Sequence, residues 1–131
     1  MRLSRGAWAL ATALWLNILL AVLLTPLGFE SRPPTDLTTI GYIAIGAVFA
    51  GLLLDLASFI VLLRRSRLAS ILAVIGSVLF IVPIVADRTG SFFSLPVPPV
   101  VNALEYVFMA VLLATFVLAW WVHKESDRSR G

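Results

Sequence analysis

The charged residues of this chain are almost completely separated from its apolar residues. Four apolar runs occupy residues 7–28, 40–63, 68–86 and 100–122, and 15 of the 17 charged residues lie outside them. Each run is close to the roughly 20 residues that a helix needs to cross a bilayer core of about 30 Å. In lipid such a segment satisfies its backbone hydrogen bonds as a helix. We therefore predict an all-α membrane protein in which residues 1–131 form one domain, an up-down-up-down bundle of four antiparallel transmembrane helices.

The first apolar run follows Arg2 and Arg5, as the hydrophobic part of a signal peptide would. It is longer than the roughly 7–15 apolar residues of a signal peptide, and no small-residue cleavage pattern follows at residues 26–29. We expect it to be retained as the first transmembrane helix.

Composition supports the bilayer as the main partner of the chain. Hydrophobic residues make up 60% of it, and its mean hydropathy is +1.01. The basic residues lie in short clusters between the apolar runs, so we predict no nucleic-acid partner. The chain has no cysteine, which excludes disulfides, thiolate metal sites and iron–sulfur clusters. The single histidine, His123, follows the last run and is interpreted as a flanking residue. No metal site and no cofactor is predicted.

The distribution of basic residues predicts the orientation of the bundle. Two of the ten, Arg32 and Arg88, lie in the first and third connections. The other eight lie in the two tails and the second connection: Arg2, Arg5, Arg64, Arg65, Arg67, Lys124, Arg128 and Arg130. Because cytoplasmic loops are enriched in basic residues, we predict a multi-pass protein of the cell membrane with both termini in the cytoplasm.

A polar layer is predicted in the middle of the bundle. A charge at the bilayer centre costs about 2.5–3.5 kcal/mol on insertion scales, so Asp55 requires an explanation. A rise of about 1.5 Å per residue places one polar residue of each run about 10–15 Å from its cytoplasmic end. Small residues on the same faces allow close helix approach and hydrogen bonds between helices. The members of this candidate site are Asp55, Asn17, Ser77 and Ser58, with Thr115 at a similar depth on the fourth run.

A second, outer polar layer is predicted around Glu105. This residue lies about 25 Å from the inner end of its run, beside Asn102 and Tyr106 in the sequence. Thr25 and Tyr42 are expected to approach the same depth on other helices. No lysine, arginine or histidine lies inside any run, so neither carboxyl is expected to have a buried cationic partner.

Two interpretations of these layers remain open. The first is that the polar residues only join the helices, since interhelical hydrogen bonds of about 1 kcal/mol are common in membrane proteins. The second is a proton- or cation-binding site, because acidic residues inside membrane spans often mark ion and proton pathways.

The two connections on the outer side differ in composition. Residues 30–39 are polar. Residues 87–99 carry apolar side chains, including Phe92 and Phe93, between Gly90 and three prolines. Aromatic side chains are favoured at membrane interfaces. We expect this second segment to fold back onto the outer membrane surface, with Pro99 starting the fourth helix.

Three functions follow as hypotheses. The first is an accessory or interaction subunit, because such a role requires no special residue. The second is a proton- or cation-coupled transporter or channel working through Asp55 and Glu105. Four helices rarely enclose a pathway alone, so this role implies a homo-oligomer or a larger membrane complex. The third is an enzyme acting on a lipid or quinone. No catalytic residue is predicted, because the two carboxyls are too far apart for one acid–base pair and no nucleophile–base pattern is present.

The order of acidic and basic residues resembles that of DoxX-type membrane proteins. That order is an acidic residue in the second run, a basic turn, the outer stretch from Gly90 to Phe93, and Glu105 with Tyr106 in the fourth run. The first-helix pattern of that family is missing and the spacing differs. The resemblance therefore implies an architecture and no activity.

Overall fold

The structure, a computed structural model, describes residues 5–30, 38–89 and 99–130, with side chains described for 5–26, 38–89 and 99–125. This part of the chain consists of four helices and short caps and turns. The helices are α1 (Arg5–Glu30), α2 (Thr39–Val61), α3 (Ser66–Arg88) and α4 (Pro99–Arg130). The predicted all-α class and the four-helix transmembrane bundle are confirmed.

Each helix packs mainly against the helices that precede and follow it in the chain. The contact between α2 and α3 is the most extensive, and α1 and α4 also pack together, which closes the bundle. Residues 62–65 turn the chain sharply, with a 2.8 Å hydrogen bond from the amide of Arg65 to the carbonyl of Val61. We call this end of the bundle the turn end and the opposite end the loop end. Gly6 of α1 lies against Trp121 and Glu125 of α4, so both of these helix ends are also at the turn end.

Local sequence signals explain where α2 and α4 begin. The Thr38 side chain caps α2 by accepting a 2.9 Å hydrogen bond from the amide of Gly41, which satisfies one of the free donors at a helix start. Pro99 is the first residue of α4, as predicted. A proline at this position lacks only an amide hydrogen that would have no partner inside the helix.

Each helix is long and apolar enough to cross a membrane. Large hydrophobic side chains cover the outside of the bundle; Leu53, for example, is 69% exposed and Leu113 is 64% exposed. Such a surface is stable in lipid and unfavourable in water. The protein is therefore a small, multi-pass membrane protein. Which end of the bundle faces the cytoplasm stays a prediction from the basic residues.

Two apolar clusters fill the interior. The cluster near the turn end includes Leu10, Leu14 and Val122. The cluster nearer the loop end includes Phe80 and Phe108, whose ring centroids lie 5.2 Å apart. On every helix, a polar residue lies between the residues that contribute to these two clusters. The apolar packing therefore sets the level at which the polar residues meet.

Candidate functional site

Four buried polar residues, one from each helix, lie between the two apolar clusters. We call them the central polar layer: Asn17, Asp55, Ser77 and Thr115. Each of these residues is 0% exposed. Three of them belong to the site predicted from the sequence, and the structure adds Thr115 through a direct bond.

Asn17 and Thr115 connect α1 to α4. The Nδ2 atom of Asn17 donates a 2.9 Å hydrogen bond to Oγ1 of Thr115. The Thr115 hydroxyl in turn donates to the carbonyl of Val111, at 2.7 Å, within its own helix. Because that hydrogen is used, the Thr115 oxygen can only accept from Asn17, which fixes the direction of the bond.

Asp55 lies where α2 meets α3. A Cβ atom at position 76 would overlap with Oδ1 of Asp55 and would lie 3.4 Å from the carbonyl oxygen of Gly51. Only glycine at position 76 therefore leaves room for the carboxyl. Towards the loop end, the Phe80 ring covers Gly51, at 3.1 Å from the position a Cβ atom would take there. The carboxyl thus packs against the backbone of α3, and the Phe80 ring covers α2 one turn away at Gly51.

The carboxyl of Asp55 has no partner of normal hydrogen-bond geometry. The Asn17 side chain lies beside it, yet neither Oδ1 nor Oδ2 accepts a hydrogen bond from the described residues. The Oγ atom of Ser77 and the Oδ1 atom of Asn17 also lack such a partner in this part of the chain. Four buried oxygen atoms from α1, α2 and α3 therefore have unused hydrogen-bonding capacity.

Ser58, the fourth residue of the site predicted from the sequence, makes a different contact. It is fully buried, and its Oγ atom donates a 2.6 Å hydrogen bond to the carbonyl of Ala69 on α3. Since Ala69 belongs to the apolar cluster near the turn end, Ser58 joins α2 to α3 there. Its hydroxyl is used in this structural link.

The residues of the predicted outer layer form a cluster around Arg88, which we call the loop-end cluster. Arg88 donates to Oδ1 of Asn102, at 2.7 Å, and to the hydroxyl of Tyr106, at 2.5 Å. Its guanidinium carbon also lies 4.1 Å from the centre of the Tyr106 ring. The Nη1 atom of Arg88 lies 4.0 Å from Oε1 of Glu105.

The expectation that Glu105 has no cationic partner is therefore wrong. The third apolar run ends at residue 86, but α3 continues to Arg88. The additional residues bring a long, flexible arginine side chain to the start of α4. Glu105 is 5% exposed, so its charge is opposed by Arg88 in a largely buried setting.

Thr25 and Tyr42, which the sequence predicts to approach the depth of Glu105, lie on the outside of the bundle. The Tyr42 side chain is 63% exposed. Thr25 is also exposed, and its hydroxyl donates to the carbonyl of Ala21 within its own helix. Residues 90–98, which the sequence predicts to fold onto the membrane surface, lie outside the described residues.

Gly76 and Arg88 are the two important neighbours that the sequence did not point to. The small residues of the third run offered a weak signal for Gly76, because small residues allow close helix contact. For Arg88, the helical signal continued past the apolar run, since no proline or glycine occurs between residue 86 and Gly90. Neither signal could predict a contact without knowing which helix lies next to α3.

No protein-family model, curated protein or solved structure matches this chain. The likeness to DoxX-type proteins therefore remains one of residue order. Among the described residues there is no group of three or more His, Cys, Asp or Glu side chains that would hold a metal ion.

Proposed function

We propose that this protein is a small membrane transport protein that conducts protons, in which Asp55 binds and releases the proton. The observation that supports the proposal is the buried Asp55 carboxyl, which no described residue satisfies with a hydrogen bond. An unsatisfied ionised carboxylate in a low-dielectric interior is costly, whereas a protonated carboxyl carries no charge. The surroundings of Asp55 therefore favour its protonated, uncharged carboxyl.

A purely structural role explains Asp55 less well than it explains the other buried polar residues. Asn17, Thr115 and Ser58 each make a short hydrogen bond to another helix. Such bonds contribute about 0.6 kcal/mol on average in membrane proteins. Asp55 has no bond of normal geometry to the described residues, although the Asn17 side chain lies beside it. The chain thus carries a costly acidic group whose contacts satisfy it incompletely.

The geometry favours a proton over a metal cation. A cation such as Ca²⁺ takes six to eight oxygen ligands at about 2.3–2.6 Å. Here Oδ1 of Asp55 packs directly against the α3 backbone at Gly76, which leaves no room for an ion on that side. A proton needs no additional space.

Glu105, which the sequence pairs with Asp55 as a second transport residue, receives a different role in this proposal. Its carboxyl lies near the Arg88 guanidinium, so its charge is opposed in place. We assign Glu105 to holding α3 and α4 together at the loop end. Asp55 alone then carries the proton, in a homo-oligomer whose subunits together provide the path.

A second candidate function is an accessory or interaction subunit. Asp55 and Ser77 are both 0% exposed, so neither is reached from outside the bundle in the described conformation. A permanently closed interior suits a protein that acts through its outer surface. Proton exchange at Asp55 separates the two candidates, because only the transport role requires it.

Proton flux into proteoliposomes tests the proposal. The purified protein is reconstituted with a pH-sensitive dye inside the vesicles, and flux is driven by a potassium diffusion potential. We expect flux with the wild type, loss of it with Asp55→Asn, and unchanged flux with Glu125→Gln, an acidic residue at the turn end. Helical content and oligomeric state of each variant are checked by circular dichroism and size exclusion.

Two results would overturn the transport proposal. One is a wild-type protein whose vesicles leak no faster than empty vesicles. The other is a flux that Asp55→Asn leaves unchanged. Either result, combined with co-purification of a membrane partner by both wild type and Asp55→Asn, would support the interaction subunit.

A further inference from the structure

A groove runs along the outside of the bundle between α3 and α4, near the turn end. Its volume is about 290 Å³. Its walls are apolar and come from Ile71, Val74 and Ile75 on one side and Ala119 and Trp120 on the other. Ile71 and Ile75 are each 45% exposed and Trp120 is 63% exposed, so the groove opens sideways to the surrounding lipid.

Ser70 and His123 line the end of the groove closest to the turn end. Ser70 is buried and its hydroxyl donates to the carbonyl of Arg67, at 2.7 Å, within α3. The group that can meet a ligand there is therefore the imidazole of His123. From Ser70 to Ile75 the helix rises about 7.5 Å. Within this distance the lining changes from the His123 imidazole to isoleucine side chains. The groove is therefore apolar along most of its length, as a site for an acyl chain would be, with the imidazole at one end.

Basic residues lie at the same end of the groove. The Lys124 Nζ atom lies 4.9 Å from the centre of the Trp120 ring, which places an ammonium group at the rim of the groove. Arg64 and Arg65 precede α3 and Arg67 lies in its first turn, at the same end of the bundle. Glu125, the acidic residue next to Lys124, lies against Gly6 of α1. The basic residues on the α3 side of this end complement an anionic headgroup.

We infer that this groove binds an anionic phospholipid. One acyl chain lies along Ile71, Val74 and Ile75, and the phosphate lies at His123 and Lys124. Basic pockets between transmembrane helices are known to bind anionic headgroups, and each basic residue near an anionic surface contributes about 1 kcal/mol. The volume is at the lower limit of the roughly 300–1,000 Å³ of small-molecule sites, which suits a single acyl chain better than a bulky ring system. The inference does not depend on proton transport by Asp55.

Lipid selectivity measured by spin-label electron paramagnetic resonance tests this site. The protein is reconstituted in phosphatidylcholine bilayers that contain a trace of either spin-labelled phosphatidylglycerol or spin-labelled phosphatidylcholine. The fraction of labelled lipid whose motion the protein restricts is then compared between the two lipids. We expect the wild type to prefer phosphatidylglycerol. Lys124→Gln is expected to reduce that preference about fivefold, while Arg5→Gln, which removes a charge at the same end on α1, leaves it nearly unchanged.

A second variant separates the groove from surface charge in general. Ile75→Trp fills the apolar part of the groove and keeps every charge, so we expect it to reduce the restricted phosphatidylglycerol fraction as well. Equal restriction of the two lipids by the wild type would overturn the inference. So would a preference that Lys124→Gln and Arg5→Gln reduce equally, because the lipid would then respond only to total charge. A neutral quinone that displaces the labelled lipid equally well from wild type and Lys124→Gln would also contradict it.

Discussion

Asn17 on α1 donates a 2.9 Å hydrogen bond to Thr115 on α4, although 98 residues separate them in the chain. This bond joins the first helix to the last at the level of Asp55. It also orients the Asn17 amide, because Thr115 already uses its own hydrogen within α4. The Asn17 side chain, which lies beside the Asp55 carboxyl, is therefore held in place by a residue of the opposite half of the chain.

The Asn17–Thr115 bond should appear as a coupling free energy between the two positions. In a double-mutant cycle with Asn17→Leu and Thr115→Val, we expect a coupling of about 0.6 kcal/mol and at most about 1.7 kcal/mol. Steric-trapping measurements of unfolding in bicelles provide the free energies. Thr12→Val is the control on α1, because its exposed hydroxyl donates to the carbonyl of Trp8 within the same helix. A coupling with Thr12→Val as large as that with Asn17→Leu would rule out the direct bond.

Two glycine-to-alanine substitutions should have opposite effects on stability. In Gly76→Ala the new methyl group would overlap with the Asp55 carboxyl, and such overpacking costs about 1–3 kcal/mol. In Gly46→Ala the new methyl group meets nothing within 4 Å, and we expect a gain of up to about 1 kcal/mol. Adding Asp55→Ala should reduce the cost of Gly76→Ala, since it removes the group that the methyl meets. Equal unfolding free energies for the two alanine variants would show that α2 and α3 are not in this contact.

The loop-end cluster should hold the start of α4 against α3. Arg88→Lys keeps the charge but cannot bond Asn102 and Tyr106 with one planar group. We expect faster amide hydrogen exchange in the first turns of α4 in this variant. Tyr106→Phe should have a smaller effect, at most about 1 kcal/mol, since it removes one hydrogen bond of a half-exposed side chain. Arg64→Lys, at the other end of the bundle, is the control and should leave exchange at α4 unchanged.

The predicted orientation can be tested with reporters fused to the C-terminus. Eight of the ten basic residues lie in the two tails and the second connection. We therefore expect a fluorescent protein that matures only in the cytoplasm to be fluorescent when it is fused to the C-terminus. A phosphatase that is active only outside the cytoplasm should remain inactive at the same position. Phosphatase activity at the C-terminus would reverse the assignment.

Several features of the bundle followed from the sequence alone. The four apolar runs predicted four helices, and the structure has four helices at those positions. Pro99 was correctly placed at the start of α4. Counting about 1.5 Å of rise per residue along each run placed Asn17, Asp55 and Ser77 at one level, and in the structure they lie between two apolar clusters.

The contacts of the polar residues did not follow from the sequence. Thr115 was matched to the right depth, but its bond to Asn17 depends on α1 packing against α4. Glu105 was expected to lack a cation because Arg88 lies outside the apolar run, yet the arginine side chain reaches it. Ser58 was grouped with Asp55, whereas its hydroxyl bonds to Ala69.

The difference has a physical cause. The free energy of transferring a helix into lipid is close to a sum over its own residues, so the sequence by itself determined the number, length and level of the spans. A hydrogen bond or a steric contact between helices depends in addition on which helices are neighbours and how each is rotated about its axis. Only the tertiary structure decided those variables. It placed Gly76 against Asp55, Asn17 against Thr115 and Arg88 beside Glu105.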